Sequence, residues 1–146
     1  KPEATFSACF GAPFLPLTPS IYANLLAEKL AQHQTHVWLL NTGWSGGGYG
    51  VGKRIALPLT RAMISAVLSD QLNDVETHCH PIFNLDIPNE VEGVPQNVLN
   101  PELAWTDQAA YQQEALQLAH RFADNFKKYE KTVLPEVSAA GPRVAL

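Results

Sequence analysis

Charge is scarce in this chain. Asp, Glu, Lys and Arg make up 16% of its 146 residues, against about 25% in an ordinary domain. So few charges are expected where part of the surface faces other polypeptide. No run of like charge exceeds two residues, and the net charge is −4. Neither nucleic acid nor an anionic membrane is therefore an expected partner. Long apolar runs are also missing: none approaches the ~18 residues of a membrane helix. The N-terminus lacks the basic-then-apolar layout of a secretory signal. Methionine occurs once, at Met63, and the chain starts at Lys1-Pro2, which reads as the edge of something longer. The two cysteines, Cys9 and Cys79, allow one bridge and no disulfide framework. Cys9, in Ala8-Cys9-Phe10, reads as a small hydrophobe. Cys79 lies between His78 and His80. Strand alternation would put both histidines on one face and Cys79 on the other, so a metal site is not expected there.

What remains is an ordinary globular composition, 46% hydrophobic, at a length suited to one domain. Residues 6–17, with three aromatics, Gly11, Pro13 and Pro16, read as a strand or buried loop and an irregular connection. Thr18-Pro19 predicts a helix start, with Thr18 as N-cap and Pro19 at the first helical position. Ile21, Leu25, Leu26 and Leu30 follow at helical spacing, and the helix fades near Gln34. His36-Val37-Trp38-Leu39-Leu40 reads as a buried strand, because apolar residues run consecutively. A second helix is expected over 59–68, with Met63, Ile64, Val67 and Leu68 on its apolar face. Residues 76–85 suggest a short strand, one arm of a hairpin. Pro81, Pro88, Pro95 and Pro101 predict an extended, irregular path to Trp105. The last helix is the clearest. Thr106 can cap it, Asp107 suits its positive end, and Tyr111, Ala115, Leu118, Phe122 and Phe126 form a stripe. Lys127, Lys128 and Lys131 suit its negative end. No internal repeat is visible.

Chemistry concentrates in one loop. Six of the nine glycines fall between Gly43 and Gly52. Gly47, four residues, Gly52 and Lys53 satisfy most of the phosphate-loop pattern G-x-x-x-x-G-K-[ST]. Such a loop wraps phosphate with bare backbone N–H groups while Lys adds charge. The eighth position should carry a hydroxyl for Mg²⁺, and here it is Arg54, which cannot coordinate a cation. The helix should also start at the lysine. Pro58 would then fall about five residues in, denying a backbone hydrogen bond.

The string from Asn41-Thr42-Gly43-Trp44-Ser45-Gly46-Gly47 through Tyr49-Gly50-Val51-Gly52-Lys53-Arg54-Ile55 resembles the C-terminal part of ATP-dependent phosphoenolpyruvate carboxykinases. So does Thr5-Phe6-Ser7-Ala8-Cys9-Phe10-Gly11-Ala12-Pro13-Phe14-Leu15. Thr60-Arg61-Ala62, Pro81-Ile82-Phe83-Asn84-Leu85-Asp86-Ile87-Pro88, Gly93-Val94-Pro95, Leu99-Asn100-Pro101 and Asn125-Phe126-Lys127-Lys128-Tyr129 match in the same order. One departure is Glu102, where relatives usually carry Arg, and it puts a local ion pair in doubt.

The resemblance implies an α/β (mixed) fold: the C-terminal part of a nucleotide-binding domain, a mixed sheet flanked by helices. It implies residues 1–146 as one such fragment, with 1–5 the end of an active-site lid and 133–146 a flexible tail. Members convert oxaloacetate and ATP to phosphoenolpyruvate, ADP and CO₂ in gluconeogenesis, in the cytoplasm, with Mg²⁺ and Mn²⁺. By motif position, nucleotide contacts fall on Arg54, Ile55 and Thr60. Arg54 would offer its guanidinium, Ile55 backbone hydrogen bonding near the base, and Thr60 would close the adenine pocket. Catalytic groups and metal ligands would lie upstream, so the expected partner is the upstream remainder of the enzyme. The chain alone would be inactive.

Blander readings apply elsewhere. Trp44 could stack on a base, but a Trp beside glycines more often fills a packing gap. His33, His36 and His120 read as solvated or satisfied, and Glu90 and Glu92 as a Pro-flanked surface. Two other functions compete with the carboxykinase: a small independent phosphate-loop NTPase using Gly47 to Lys53, and a folded remnant that acts only by association.

Overall fold

The computed structural model of the protein describes residues 5–7 and 11–144. Cys9 and all but the last residue of segment 1–5 lie outside them. Helix α1 spans Pro19–His33, with Pro19 in its first turn and Thr18 extended at the N-cap. The Thr18 hydroxyl makes no capping bond. Gln34 closes the helix in a left-handed conformation, and its N–H donates to the Leu30 carbonyl. The expected apolar face does not pack. Only Ser20 is buried on α1, while Ile21, Leu25 and Leu26 are exposed. The Ser20 and Thr132 hydroxyls hydrogen-bond at 2.8 Å and tie the helix start to the turn at Glu130–Thr132.

The expected strand over residues 36–40 is a correction. The segment makes no ladder, and most of it is exposed. A strand needs a neighbour to pair with, and none of the described strands pairs with it.

Two antiparallel ribbons follow. Strands β1 (Trp44–Ser45) and β2 (Lys53–Arg54) form the first. Strands β3 (Thr77–Cys79) and β4 (Asp86–Pro88) form the second, as the hairpin reading expects. Helix α2 runs Leu57–Leu68 between them. It starts two residues earlier than the apolar spacing implies, so Pro58 falls in its first turn, where no N–H is needed. Its buried residues are Thr60, Met63 and Ala66; Ile64 and Leu68 are exposed. The proline-rich stretch is less extended than expected. It holds a short helix α3 (Gln96–Leu99) and a 3₁₀ turn at Pro101–Ala104. Helices and short antiparallel ribbons together make the chain mixed α/β.

Helix α4 (Gln108–Phe126) is capped by Asp107, not Thr106: the Asp107 carboxylate accepts from the Ala110 N–H at 3.0 Å. A carboxylate there also meets the positive helix end. The buried stripe is Tyr111, Ala115 and Ala119, one step off the expected line, and Leu118 and Phe122 are exposed. Phe122 still meets Phe6 edge-on, with ring centroids 5.2 Å apart. At the other end Lys127 pairs with Asp124 at 2.6 Å, both well exposed, which adds little stability. The segment expected to be a flexible tail contains helix α5 (Pro135–Ala139). Beyond it, the Arg143 N–H donates to the Ile82 carbonyl at 2.7 Å, and its guanidinium to Asn84 at 3.0 Å.

Burial falls into two clusters. Met63, Ala66, Leu72, Val91 and Val94 form one, with Trp38 and Ile55 packed against it. Ile82, Tyr111, Ala115 and Ala119 form the other, with Phe83, Trp105 and Leu116 around them.

Candidate functional site

The glycine loop is the turn of the β1–β2 hairpin. Trp44 pairs with Arg54 and Ser45 with Lys53. The Ile55 N–H extends the pairing by donating to the Gly43 carbonyl at 2.9 Å. Asn41 shapes the entry. Its side-chain oxygen accepts from the Gly43 N–H at 2.8 Å, and its amide donates to the Trp44 carbonyl at 3.2 Å. This Asx turn is a role sequence reading missed, although Asn two residues before Gly is a usable signal for it.

Inside the loop, the Val51 and Gly52 N–H groups donate to the Gly48 carbonyl at 3.1 and 2.9 Å. They are turned onto the protein, not outward as in a phosphate cradle. Lys53 belongs to a strand, and α2 begins only at Leu57. The helix N-terminus and the lysine that a phosphate loop brings together are therefore separated. Gly46 has a positive φ of 82°, and a Cβ there would lie 2.8 Å from the Ala104 carbonyl oxygen. The loop thus packs its backbone directly on the Pro101–Ala104 turn.

The hairpin fixes where Arg54 points. Residues directly opposite in an antiparallel pair share a face, so Arg54 lies on the face of Trp44 and Lys53 lies on the other. Both Arg54 and Trp44 are exposed, Trp44 at 55%. The Arg54 guanidinium has no hydrogen bond or ion pair among the described residues. Tyr49 approaches Trp44 at 6.5 Å between ring centroids, tilted by 58°. Ile55 is half-buried against the first cluster. Its N–H is already taken, so its carbonyl is the backbone group left for a ligand. Thr60 is buried in the first turns of α2, and its N–H donates to the Ala56 carbonyl at 3.2 Å. Arg54, Ile55 and Thr60 thus follow one another from the end of β2 into α2. Ile55 also lines an open groove of 1220 Å³; Arg54 and Thr60 do not. Among the described residues, no three His, Cys, Asp or Glu side chains gather to hold a metal ion. These residues do not fit a resident Mg²⁺ or Mn²⁺.

A second polar cluster holds the core together. Buried His80 receives the Ile82 and Phe83 N–H groups on Nδ1, each at 3.2 Å. Nδ1 must therefore be unprotonated, which leaves Nε2–H to donate to the Tyr111 hydroxyl at 2.7 Å. Burial lowers the His80 pKa; the Glu102 carboxylate opposes this, and His78 adds to it. Burial also raises the Tyr111 pKa, with Glu102 acting in the same direction. In the sequence the histidine read only as one arm of a His-Cys-His string.

The sign of the pH effect follows. The unfolded imidazole protonates near 6.5, the folded one only at lower pH. Its contribution to stability is therefore complete above 6.5 and is lost as pH falls through the lowered folded value. The urea midpoint is expected to decline below pH 6.5. A His80→Ala variant should be less stable throughout and show a shallower decline. Equal slopes for the two proteins would show that His80 is not the group responsible.

A family model described as phosphoenolpyruvate carboxykinase matches residues 1–97. A phosphoenolpyruvate carboxykinase (ATP) of Thermus thermophilus is 52% identical over 143 residues, 98% of this chain and 27% of that protein. Enzymes of the same name from Bacillus cytotoxicus and Caldanaerobacter subterraneus are 53% and 54% identical, again over 27% of their length. This chain spans about a quarter of the length of the curated relatives it matches. With a family model over most of its residues and matching relatives along nearly all of it, the chain belongs to the phosphoenolpyruvate carboxykinase family.

Proposed function

We propose that this chain supplies the adenine side of the ATP site in an ATP-dependent phosphoenolpyruvate carboxykinase. The complete enzyme would cleave the C–C bond of oxaloacetate, releasing CO₂ and leaving an enolate. The enolate oxygen would then attack the γ-phosphorus of ATP, and ADP would leave, giving phosphoenolpyruvate. Divalent metal ions supply charge neutralisation in such transfers, and their ligands would come from polypeptide outside this chain. The setting is gluconeogenic and cytoplasmic. No helix among the described residues is long and apolar enough to cross a membrane.

The observation that carries this reading is Arg54. The ladder holds its unpaired guanidinium on one face beside an exposed aromatic ring. Ile55 then offers a carbonyl, and Thr60 a hydroxyl one step further. A guanidinium is suited to phosphate oxygens, and a carbonyl can accept from the exocyclic amine of adenine. This chain has no role in bond making here, and by itself it should show no carboxykinase turnover.

In the complete enzyme, Arg54→Ala should raise the KM for ATP about 10–100-fold, the loss expected when a charge-assisted hydrogen bond is removed. Lys53→Ala, on the opposite face, should leave that KM within about twofold, as for an ordinary surface position. Steady-state kinetics at saturating oxaloacetate separate the two. An unchanged KM in Arg54→Ala would overturn the assignment. ATP hydrolysis by the isolated chain, lost in Lys53→Ala, would instead support the phosphate-loop NTPase.

A further inference from the structure

The hairpin of β1 and β2 lacks one hydrogen bond that its register calls for. Trp44 faces Arg54 and Ser45 faces Lys53, so Gly43 faces Ile55. Facing residues in an antiparallel pair alternate between exchanging two backbone hydrogen bonds and exchanging none. The Ile55 N–H donates to the Gly43 carbonyl at 2.9 Å, which makes Gly43 and Ile55 an exchanging pair. The Gly43 N–H should then donate back to the Ile55 carbonyl. It donates instead to Asn41 Oδ1 at 2.8 Å. Among the described residues nothing donates to the Ile55 carbonyl.

Asn41 is occupied at both ends of its amide. Oδ1 holds the Gly43 N–H, and Nδ2 donates to the Trp44 carbonyl at 3.2 Å. Aspartate would keep the acceptor and lose the donor, and alanine would lose both. The Ile55 carbonyl, deprived of its ladder donor, accepts from whatever donor is brought to it. The exocyclic amine of adenine is a donor. A base with a carbonyl in that place would meet Ile55 oxygen to oxygen. Sites built to hydrogen-bond a substrate N–H reject the analogue that lacks it. Asn41 and Ile55 both border the open groove.

We propose that Asn41 is a positioning residue for base selection: by holding the Gly43 N–H, it keeps the Ile55 carbonyl free to accept from the exocyclic amine of adenine. Asn41 itself touches no nucleotide. This rests on Ile55 lying at the adenine base, but not on the role of Arg54.

Steady-state kinetics of the complete enzyme with ATP and with inosine triphosphate test it. Inosine triphosphate has the same phosphates and a carbonyl in place of the amine. The readout is the preference for ATP, the ratio of the two kcat/KM values. In Asn41→Ala the released Gly43 N–H can close onto the Ile55 carbonyl. The preference should then fall about 10-fold, the worth of one hydrogen bond. Asn41→Leu, similar in size and without a polar atom, should match it and serves if the alanine variant folds poorly. Asn41→Asp keeps the acceptor, so its preference should stay within about twofold of the parent's, as for a change that leaves the selecting contact in place. A loosened loop would raise both KM values and leave the ratio alone; that result in Asn41→Ala and Asn41→Leu would overturn the proposal. So would a parent enzyme with no preference for ATP. Lost preference in Asn41→Asp would make Asn41 a direct ligand of the base and would also overturn it. Arg54→Ala, acting on phosphate, should raise both KM values with the ratio unchanged. If it does so while the Asn41 variants keep the parent's ratio, the ATP site stands and the role of Asn41 falls. If the ratio falls in Asn41→Ala but Arg54→Ala changes neither KM, Asn41 stands and Arg54 falls.

Discussion

Ile82→Ala is expected to lower the unfolding free energy by about 2–5 kcal/mol, the range for truncating a buried aliphatic residue. Ile82 is the largest side chain among the described residues with no solvent exposure at all. It sits among Tyr111, Ala115 and Ala119 on α4, with Phe83, Trp105 and Leu116 around them. Two alanines among its neighbours mean that little can move in to fill a cavity. Trp105 and Tyr111 already meet edge-on at 5.8 Å and are held in place, Tyr111 by His80. The backbone of Ile82 matters as well. Its N–H donates to His80, and its carbonyl accepts from Arg143. The variant keeps both bonds, so the measured loss reports packing. Domains are stable by only about 5–15 kcal/mol, so this one substitution should remove a large share. Ile82→Val, which leaves a much smaller cavity, should cost about 0.5–1.5 kcal/mol. Urea denaturation of the three proteins provides the comparison. Equal midpoints for Ile82→Ala and Ile82→Val would mean that the second cluster does not hold this chain together.

The sequence was most legible where one residue fixes its own local geometry. Pro19 marks the start of α1, because proline suits a helix only in its first turn. The hairpin of β3 and β4 was visible in outline. The resemblance was legible too, since it rests on strings of residues in a fixed order. Faces were read less well. On α4 the hydrophobic stripe suggested Leu118 and Phe122, yet Ala119 is the residue with no exposure. Close approach to Ile82 selects a small side chain there, and hydrophobicity does not encode that. The strand at 36–40 was misread for a different reason. Its apolar run describes burial against a neighbour, and the described chain contains no such neighbour. Exposed Leu25 and Leu26 on α1 repeat the pattern. Low charge and unpacked apolar faces occur together in a chain that spans about a quarter of the length of the curated relatives it matches. For the candidate site, the sequence supplied Arg54, Ile55 and Thr60 through resemblance alone. The sharing of a face by Arg54 and Trp44 depends on hairpin register, which a six-glycine loop does not reveal.

That register makes Gly52→Ala the second large effect. Gly52 is buried at the end of the loop, just before β2. A Cβ on it would fall on the Gly47 carbonyl oxygen and lie 3.0 Å from the Ser45 carbonyl oxygen. Both obstacles are backbone, so no side-chain rotation relieves them. The Gly52 N–H is also committed to the Gly48 carbonyl at 2.9 Å. Relief therefore requires the hairpin to open, which breaks the pairing of Ser45 with Lys53 and then of Trp44 with Arg54. A stability loss of about 1–3 kcal/mol is expected, as for other forced overpacking. Gly48→Ala is the matched control, because a Cβ there meets nothing within 4 Å; it should stay within about 0.5 kcal/mol of the parent. The two substitutions add the same methyl group to the same loop, so their difference isolates close approach from loop flexibility. In the complete enzyme, Gly52→Ala should also raise the KM for ATP, because Arg54 loses the strand that aims it. If Gly52→Ala and Gly48→Ala matched in both stability and KM, the glycines would be serving flexibility alone. The expected split instead makes Gly52 the residue that lets two carbonyls approach, and that approach is what orients the guanidinium of Arg54, two residues further on.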